Sequence, residues 1–410
     1  MQSGDGLVVR IRPPLGRLSP PQAAAIADAA EAHGNGIIDL SARANLQLRG
    51  VTEASHPRLI DALRLQGLID PDIETESLRN LIVTPFRTSP PPTSPSPLHA
   101  GTGSHRARPV PATPARGGFL PPRGAEEGEG AHPSTDTDAL AAILTAALSG
   151  MPKLPGKFGF AIDTGPRPVL AQASADIRVE RAGDGRLILR PDGYPLGRPV
   201  TDLAPDAVAL AEWFVANGGI ANNRGRMAAL IARGLVPPGC TLAPAEPHPT
   251  PGPGVREDGV LVALGFGQMR ADTLRRLAFL GHEIRPTPWR MLFLAGAAAL
   301  PAIPGLVTDP ADPILRITAC TGAPACPQAL GDTRHLARRL APHLMADQTL
   351  HVSGCAKGCA HPTAAATTLT ATGQGYDLIR HGTASDPPSL TGLSAQSILD
   401  HLKAPHAPHL

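Results

Sequence analysis

Four of the five cysteines fall in two close pairs, Cys320-Thr-Gly-Ala-Pro-Ala-Cys326 and Cys355-Ala-Lys-Gly-Cys359, with 28 residues between the pairs. Two short loops of this kind can bring four thiolates to one place. Thiolates are soft ligands that suit zinc and iron-sulfur clusters. Structural zinc loops usually space their cysteines more closely and evenly than these two pairs do. Gly322, Gly354 and Gly358 stand within or beside the pairs and let backbone approach a bulky group. The spacing favours a cluster, with zinc or four unrelated thiols as the alternatives. Cys240 follows Pro237-Pro238-Gly239, stands apart and reads as inert.

The chain that must position these thiols has 410 residues, enough for several domains and a substantial core. Its formal net charge of +2 offers no field for a polyanion, so nucleic acid is not an expected partner. The opening residues, Met1 to Val9, lack a basic stretch followed by an apolar run, so no secretion signal is read there. The most apolar stretch, Met291 to Val307, is interrupted by Pro301 and Pro304 and reads as core rather than a membrane span. A cytoplasmic location is expected, where clustered cysteines bind metal or do redox work more often than they form disulfides.

Residues 6–51 read as a β-α-β-β unit. Leu7 to Ile11 is a strand, and Ser19 caps a helix that opens on Pro20-Pro21 and closes at Gly34. Ala23, Ile26, Ala27 and Ala30 follow helical spacing, and short strands follow near Ile37–Leu40 and Leu46–Leu48. The same order recurs at 259–296: a strand at Val260–Leu264, a helical stripe of Leu274, Leu277 and Ala278 closed by Gly281, then strands at Ile284 and Met291–Leu294. Two such units far apart in sequence suggest a pseudo-symmetric pair. Residues 86–135 are rich in Pro, Ser, Gly and Thr and read as a disordered insertion. A helix is expected from Asp136 to Gly150, and strands near Phe158–Asp163, Ile177–Arg181 and Leu187–Arg190. Another helix is expected from Pro205 to Asn217. The last third reads as a strand at Ile314–Thr318, a helix at Thr333–Leu340, a strand at Leu350–Val352 and a hairpin around Gly373–Gly375. A short unstructured tail follows Ser385.

The paired cysteine motif resembles the cluster-binding region of the sulfite and nitrite reductase superfamily. Ser41-Ala42-Arg43-Ala44-Asn45-Leu46-Gln47 resembles the R-x-N-x-Q strand in that superfamily's first ferredoxin-like half. Arg79-Asn80-Leu81 followed by Pro85 resembles its R-N-x motif, and Leu154-Pro155-Gly156-Lys157-Phe158 resembles its L-P-x-K-F motif. The resemblance runs through most of the chain outside 86–135. It implies an α+β fold in which pseudo-symmetric ferredoxin-like half-domains join sulfite-reductase-type mixed α/β domains that carry the iron-sulfur cluster. The expected division is a first half-domain and linker strand at 1–85, the insertion at 86–135 and a first mixed α/β domain at 136–250. A second half-domain at 251–305, a cluster-binding domain at 306–385 and the tail at 386–410 complete it.

The departures from that pattern are informative. Sulfite reductases carry a second active-site lysine two residues after the first, and Gly159 stands there in this chain. Gly156 precedes Lys157 where arginine is usual, and Ala360-His361-Pro362 follows the last cysteine. With Thr287-Pro288-Trp289-Arg290, these features resemble the precorrin-3B synthases, the oxygen-dependent branch of the superfamily in aerobic cobalamin synthesis. That resemblance implies hydroxylation of precorrin-3A by dioxygen with closure of a γ-lactone. It implies a 4Fe-4S cluster on Cys320, Cys326, Cys355 and Cys359, and a second iron centre that is non-haem iron rather than sirohaem. His361 is a candidate ligand of that iron, although a histidine so placed more often supports a metal site than binds the metal.

Site residues follow from the matched motifs. Arg43, Arg79 and Lys157 fall at superfamily positions that contact the tetrapyrrole or the distal ligand, which implies catalytic roles. Asn45 and Gln47 alternate with Arg43 along a strand, should share its face, and with Arg290 are the substrate-binding candidates. Guanidinium groups hold carboxylates bidentately, and a precorrin carries many. No G-x-G-x-x-G follows a strand, so no nicotinamide site is read. An external electron donor, an NAD(P)H-dependent reductase or a ferredoxin, is therefore expected. The rival readings are a sirohaem-dependent sulfite or nitrite reductase, against which Gly159 argues, and a non-catalytic metal-stabilised binding protein.

Overall fold

A computed structural model describes residues 2–70, 72, 76, 78–86 and 136–403. Apart from Phe86, the expected disordered insertion lies outside the described residues. The first half-domain is built from β1 (Gln2–Ser3), β2 (Gly6–Ile11), α1 (Pro20–His33), β3 (Ile37–Leu40), β4 (Leu46–Val51) and α2 (His56–Leu65). The start of α1 is a capping box: Gln22 N–H donates to Ser19 Oγ at 3.3 Å, and Ser19 N–H donates to Gln22 Oε1 at 3.0 Å. At its end a Cβ on Gly34 would lie 2.5 Å from the Arg49 carbonyl oxygen, so the helix can close onto β4 only without a side chain there.

The first mixed domain holds β5 (Leu81–Val83), α3 (Thr137–Ala147), β6 (Phe160–Asp163), β7 (Ile177–Arg181), β8 (Leu187–Pro191), β9 (Arg198–Pro199), α4 (Leu203–Ala216) and α5 (Met227–Ile231). The strand expected to link the first half-domain, β5, instead belongs to this sheet, paired parallel with β6. The second half-domain holds β10 (Gly254–Arg256), β11 (Gly259–Leu264), β12 (Gln268–Arg270), α6 (Ala271–Phe279), β13 (Ile284–Pro286), β14 (Met291–Ala295) and β15 (Leu306–Val307). The last domain holds β16 (Ile317–Ala319), α7 (Thr333–Leu340), β17 (Leu350–Ser353), β18 (Ala365–Thr372), β19 (Gly375–Gly382), β20 (Leu390–Leu393) and α8 (Ala395–Lys403).

The two half-domains share one core, in which Ile26, Leu46 and Leu48 of the first meet Val260, Leu274 and Leu294 of the second. They also exchange edges. β12 of the second pairs antiparallel with β3 of the first, setting Gln268 opposite Asp39. Leu18 of the first, just before α1, bridges Ile284 of the second. The exchange is reciprocal because the segment before each helix bonds the other half. The local backbone repeats too. Leu15 and Phe266 take matching left-handed conformations (φ 51° and 60°) before Gly16 and Gly267, and Ala44 and Arg290 do so (φ 56° and 62°) in the turns after β3 and β13.

The repeat extends beyond the half-domains. The sheets β5-β6-β7-β8-β9 and β16-β17-β18-β19-β20 have one topology, with two parallel pairings followed by two antiparallel ones. Helices pack on one face of each: Leu144, Leu210 and Phe214 over Phe160 and Val179, and Leu336, Leu340 and Ile398 over Val352 and Leu369.

Two expectations change. The tail read at 386–410 supplies β20 and α8, whose Ile398, Leu399 and Leu402 are buried in the last core. The strand read at Ile314–Thr318 starts later: Asp312 accepts the Ile314 N–H at 2.8 Å and Pro313 sets a 3-10 turn over Pro313–Arg316, so extension begins at Ile317.

Candidate active site

β16 and β17 are adjacent and parallel, so the loops after them leave the sheet at the same end. Cys320 directly follows β16, and Cys355 lies two residues past β17. All four paired cysteines thereby line one cavity of about 710 Å³. Gly354 N–H donates to Cys320 Sγ at 3.2 Å, which ties the loop after β17 to the first cysteine. Thr333 Oγ1 donates to the Cys320 carbonyl at 2.7 Å. A Cβ on Gly354 would lie 2.6 Å from Ala329 Cβ and 3.4 Å from Cys320 Sγ. Gly322, at φ 71°, would place one 2.5 Å from Thr333 Oγ1. The glycines thus permit the close backbone approach that their spacing suggests. Among the described residues no three His, Cys, Asp or Glu side chains close on a single metal-ion position. Four thiols bordering one cavity are a donor set whose chemistry fits an iron-sulfur cluster, which spans more space than one ion.

The same lining is rich in cations. Arg43, Lys157, Arg290, Arg49 and Arg334 all line the same cavity, and among the described residues Asp39 is the one carboxylate there. Arg43 Nη2 donates to the Lys157 carbonyl at 2.9 Å, which ties the turn after β3 to the loop before β6. Burial, with Arg226 nearby, pushes the Arg43 guanidinium below its ordinary value. Burial and then the charge of Arg334 do the same to Arg290. Both cations are held where an anion would relieve them. Gln47 also lines the cavity.

Two expected residues are elsewhere. Arg79 donates to Asp70 through Nε and Nη2 at 3.0 and 2.8 Å and to the Arg12 carbonyl at 2.8 Å. It lines a separate cavity of about 580 Å³ with Arg10 and Arg12, and its charge is already matched. Asn45 is 8 % exposed and is missing from the cavity lining. The alternation expected from Arg43 through Asn45 to Gln47 fails because β4 begins only at Leu46, and Ala44 at φ 56° turns the chain. Asn80, beside Arg79, is a positioning residue. Its amide donates to the carbonyls of Gly156 and Phe158 at 3.0 and 3.1 Å and so shapes the Lys157 loop. Gly159 N–H donates to Asp176 at 2.9 Å, and a Cβ there would lie 3.0 Å from the Asn80 carbonyl oxygen. The place of the second lysine is therefore closely packed by backbone.

Sequence reasoning missed Arg49, Arg334 and Asp39. Arg49 was within reach, since it continues the alternation of Gln47 along β4. Arg334 opens α7, and its approach to Asp39 at 2.9 Å joins residues 295 positions apart, which no local pattern reveals.

Residues 1–66 match the family model described as the nitrite/sulfite reductase ferredoxin-like half domain. The whole fold is similar to the structure of the Mycobacterium tuberculosis NirA protein, with a TM-score of 0.60 and 16% identity, covering 97% of this chain and 79% of that one. The fold of the chain is thus similar to that of the NirA protein, and the chain's first 66 residues fit the nitrite/sulfite reductase ferredoxin-like half domain. A Sinorhizobium sp protein named Precorrin-3B synthase is 29% identical over 444 residues, spanning 95% of this chain and 82% of its own length.

Proposed function

We propose that this chain is an oxidoreductase of the precorrin-3B synthase type, which hydroxylates precorrin-3A with dioxygen and closes a γ-lactone. The observation that carries the reading is the single cavity lined by four thiols and five cations. A substrate with many carboxylates needs cations in its cavity, since guanidinium groups hold carboxylates with paired, charge-assisted hydrogen bonds. The Sinorhizobium relative supports the choice of macrocycle. Gly159 supports it as well, because the second lysine that a small-anion reductase uses is absent there and a Cβ would already meet the Asn80 carbonyl oxygen tightly, at 3.0 Å.

Cys320, Cys326, Cys355 and Cys359 would hold a 4Fe-4S cluster, which when bound supplies single electrons. Arg290 binds substrate carboxylates, Arg43 and Lys157 orient the macrocycle edge from the turn after β3 and the loop before β6, and Gln47 offers an amide to its polar groups. Hydroxylation consumes dioxygen, two electrons and two protons and releases water beside the hydroxylated macrocycle, so an external donor, a reductase or a ferredoxin, is required. For the second iron, non-haem in this reading, the described residues hold no group of three His, Cys, Asp or Glu side chains placed to bind it. The test is turnover of anaerobically purified protein with precorrin-3A, an electron donor and labelled dioxygen. A product heavier by one labelled oxygen supports the reading. Sulfite reduction by a sirohaem-containing protein, with no labelled product, overturns it.

A further inference from the structure

We propose that Asp39, Arg49 and Arg334 form a positioning bracket that fixes the loop from Cys320 to Cys326 against the first half-domain and sets the reduction potential of the cluster held there. The inference rests on the cluster reading above. Its starting point is the carbonyl of Ala325, the residue before Cys326. That oxygen accepts Ser3 Oγ at 2.6 Å, Gly4 N–H at 2.9 Å and Arg49 Nη2 at 3.4 Å. Three donors from the opposite end of the chain thus hold one cluster-loop carbonyl. The approach is very close: a Cβ on Gly4 would lie 2.4 Å from the Pro324 carbonyl oxygen.

Arg49 is itself clamped. It donates to Asp5 at 2.9 Å through both Nε and Nη2, to Ser3 Oγ at 2.8 Å and to Asp39 at 3.3 Å. Asp39 also accepts Arg334 Nη1 at 2.9 Å and Gln268 Nε2 at 3.2 Å. One buried carboxylate therefore joins the first half-domain, the second half-domain and α7. Arg334 adjoins Thr333, whose hydroxyl holds the Cys320 carbonyl. Both cysteines of the loop are tied to the same network, Cys320 through Thr333 and Cys326 through Ala325.

The charges in this bracket are desolvated. Asp39, Arg49 and Arg334 are 4 %, 5 % and 8 % exposed, and Arg334 Nε has no hydrogen-bond partner. Charges in such surroundings act strongly on a nearby redox group, because little solvent screens them. Removing the carboxylate leaves excess positive charge and favours reduction, whereas removing a guanidinium leaves excess negative charge and opposes it.

The experiment is an anaerobic redox titration of the cluster, followed by electron paramagnetic resonance, in the wild type, Asp39→Asn and Arg334→Gln. Expected are opposite shifts, with the reduction constant up about tenfold in Asp39→Asn and down about tenfold in Arg334→Gln, each about 59 mV for one electron. Unmoved potentials in two folded, cluster-bearing variants overturn the proposal, since a merely structural role predicts no opposed shifts. If either variant fails to fold, Ser3→Ala decides: it removes one bond to Ala325 from a half-buried site, and cluster loss to an iron chelator should quicken severalfold. Unchanged loss overturns the bracket. Iron and sulfide analysis of the wild type separates the two ideas, because protein without either overturns the cluster reading and the bracket with it.

Discussion

Arg79 and Arg290 carry the same side chain to different ends. Arg79 is spent on Asp70 and a backbone carbonyl, whereas Arg290 reaches the cavity beside Arg334 with burial lowering its pKa. Their substitutions should separate cleanly. Arg290→Gln should raise KM for the precorrin about tenfold with little change in thermal stability, the loss expected for one charge-assisted hydrogen bond. Arg79→Gln leaves Asp70 mostly buried and unpaired, and should cost about 3 kcal/mol of stability with KM unchanged. Initial rates and thermal unfolding of the two purified variants check this, and a KM effect confined to Arg79→Gln would reverse the assignment. The cysteines, Arg43, Gln47, Lys157 and Arg290 were legible because each lies in a short motif that the fold keeps together. Arg79 was misleading because a motif preserves residue type without revealing whether the charge already has a partner.

At the scale of elements, periodicity marked the helices and strands of both half-domains, since each carries an apolar stripe at the matching period. It failed where a single backbone angle decides. Ala44 at φ 56° breaks the alternation that would have placed Asn45 in the cavity, and an alanine gives no warning of a left-handed turn. The tail failed for another reason. Ile398, Leu399 and Leu402 do follow helical spacing, but a strand as short as Leu390–Leu393 is stable only as an edge on β19. The loop after β17 shows what an element must leave out as well as what it must hold. Gly354→Ala would force a methyl against Ala329 and toward Cys320 Sγ, and overpacking of this kind costs about 1–3 kcal/mol. Iron bound per chain should fall severalfold in Gly354→Ala. It should be unchanged in Gly373→Ala, in the β18–β19 turn, where a Cβ meets nothing within 4 Å. Equal iron content in the two variants would show that this close approach does not shape the thiol site.

At the scale of the whole molecule, the repeat gives two sheets of one topology, and each buries an ionisable group on the face turned away from its helices. In the first it is Asp163 at the end of β6, 4 % exposed, and in the second His351 in β17, 1 % exposed. Burial pushes the Asp163 carboxyl up to about 6, partly offset by hydrogen bonds from the backbone of Leu170, Val169 and Gly165. Burial, with His361 close by, pushes His351 down to about 4, and neither of its ring nitrogens has a partner. The linkage signs are opposite. His351 takes up its proton more readily unfolded, so its contribution is complete above pH 6.5 and is lost as pH falls toward 4. Asp163 takes up its proton more readily folded, so its contribution is complete below pH 3.8 and is lost as pH rises through 6. Each is worth on the order of 3 kcal/mol at 1.36 kcal/mol per pKa unit, so in the wild type they largely cancel between pH 4 and 6. His351→Leu removes one side of that balance. Measured by denaturant unfolding under anaerobic conditions, the variant should gain on the wild type by on the order of 3 kcal/mol as pH falls from 7 to 4. A stability gap that stays constant across that range would mean that His351 is not held neutral in the folded protein, and that the second sheet does not bury its charge-bearing face as the first one does.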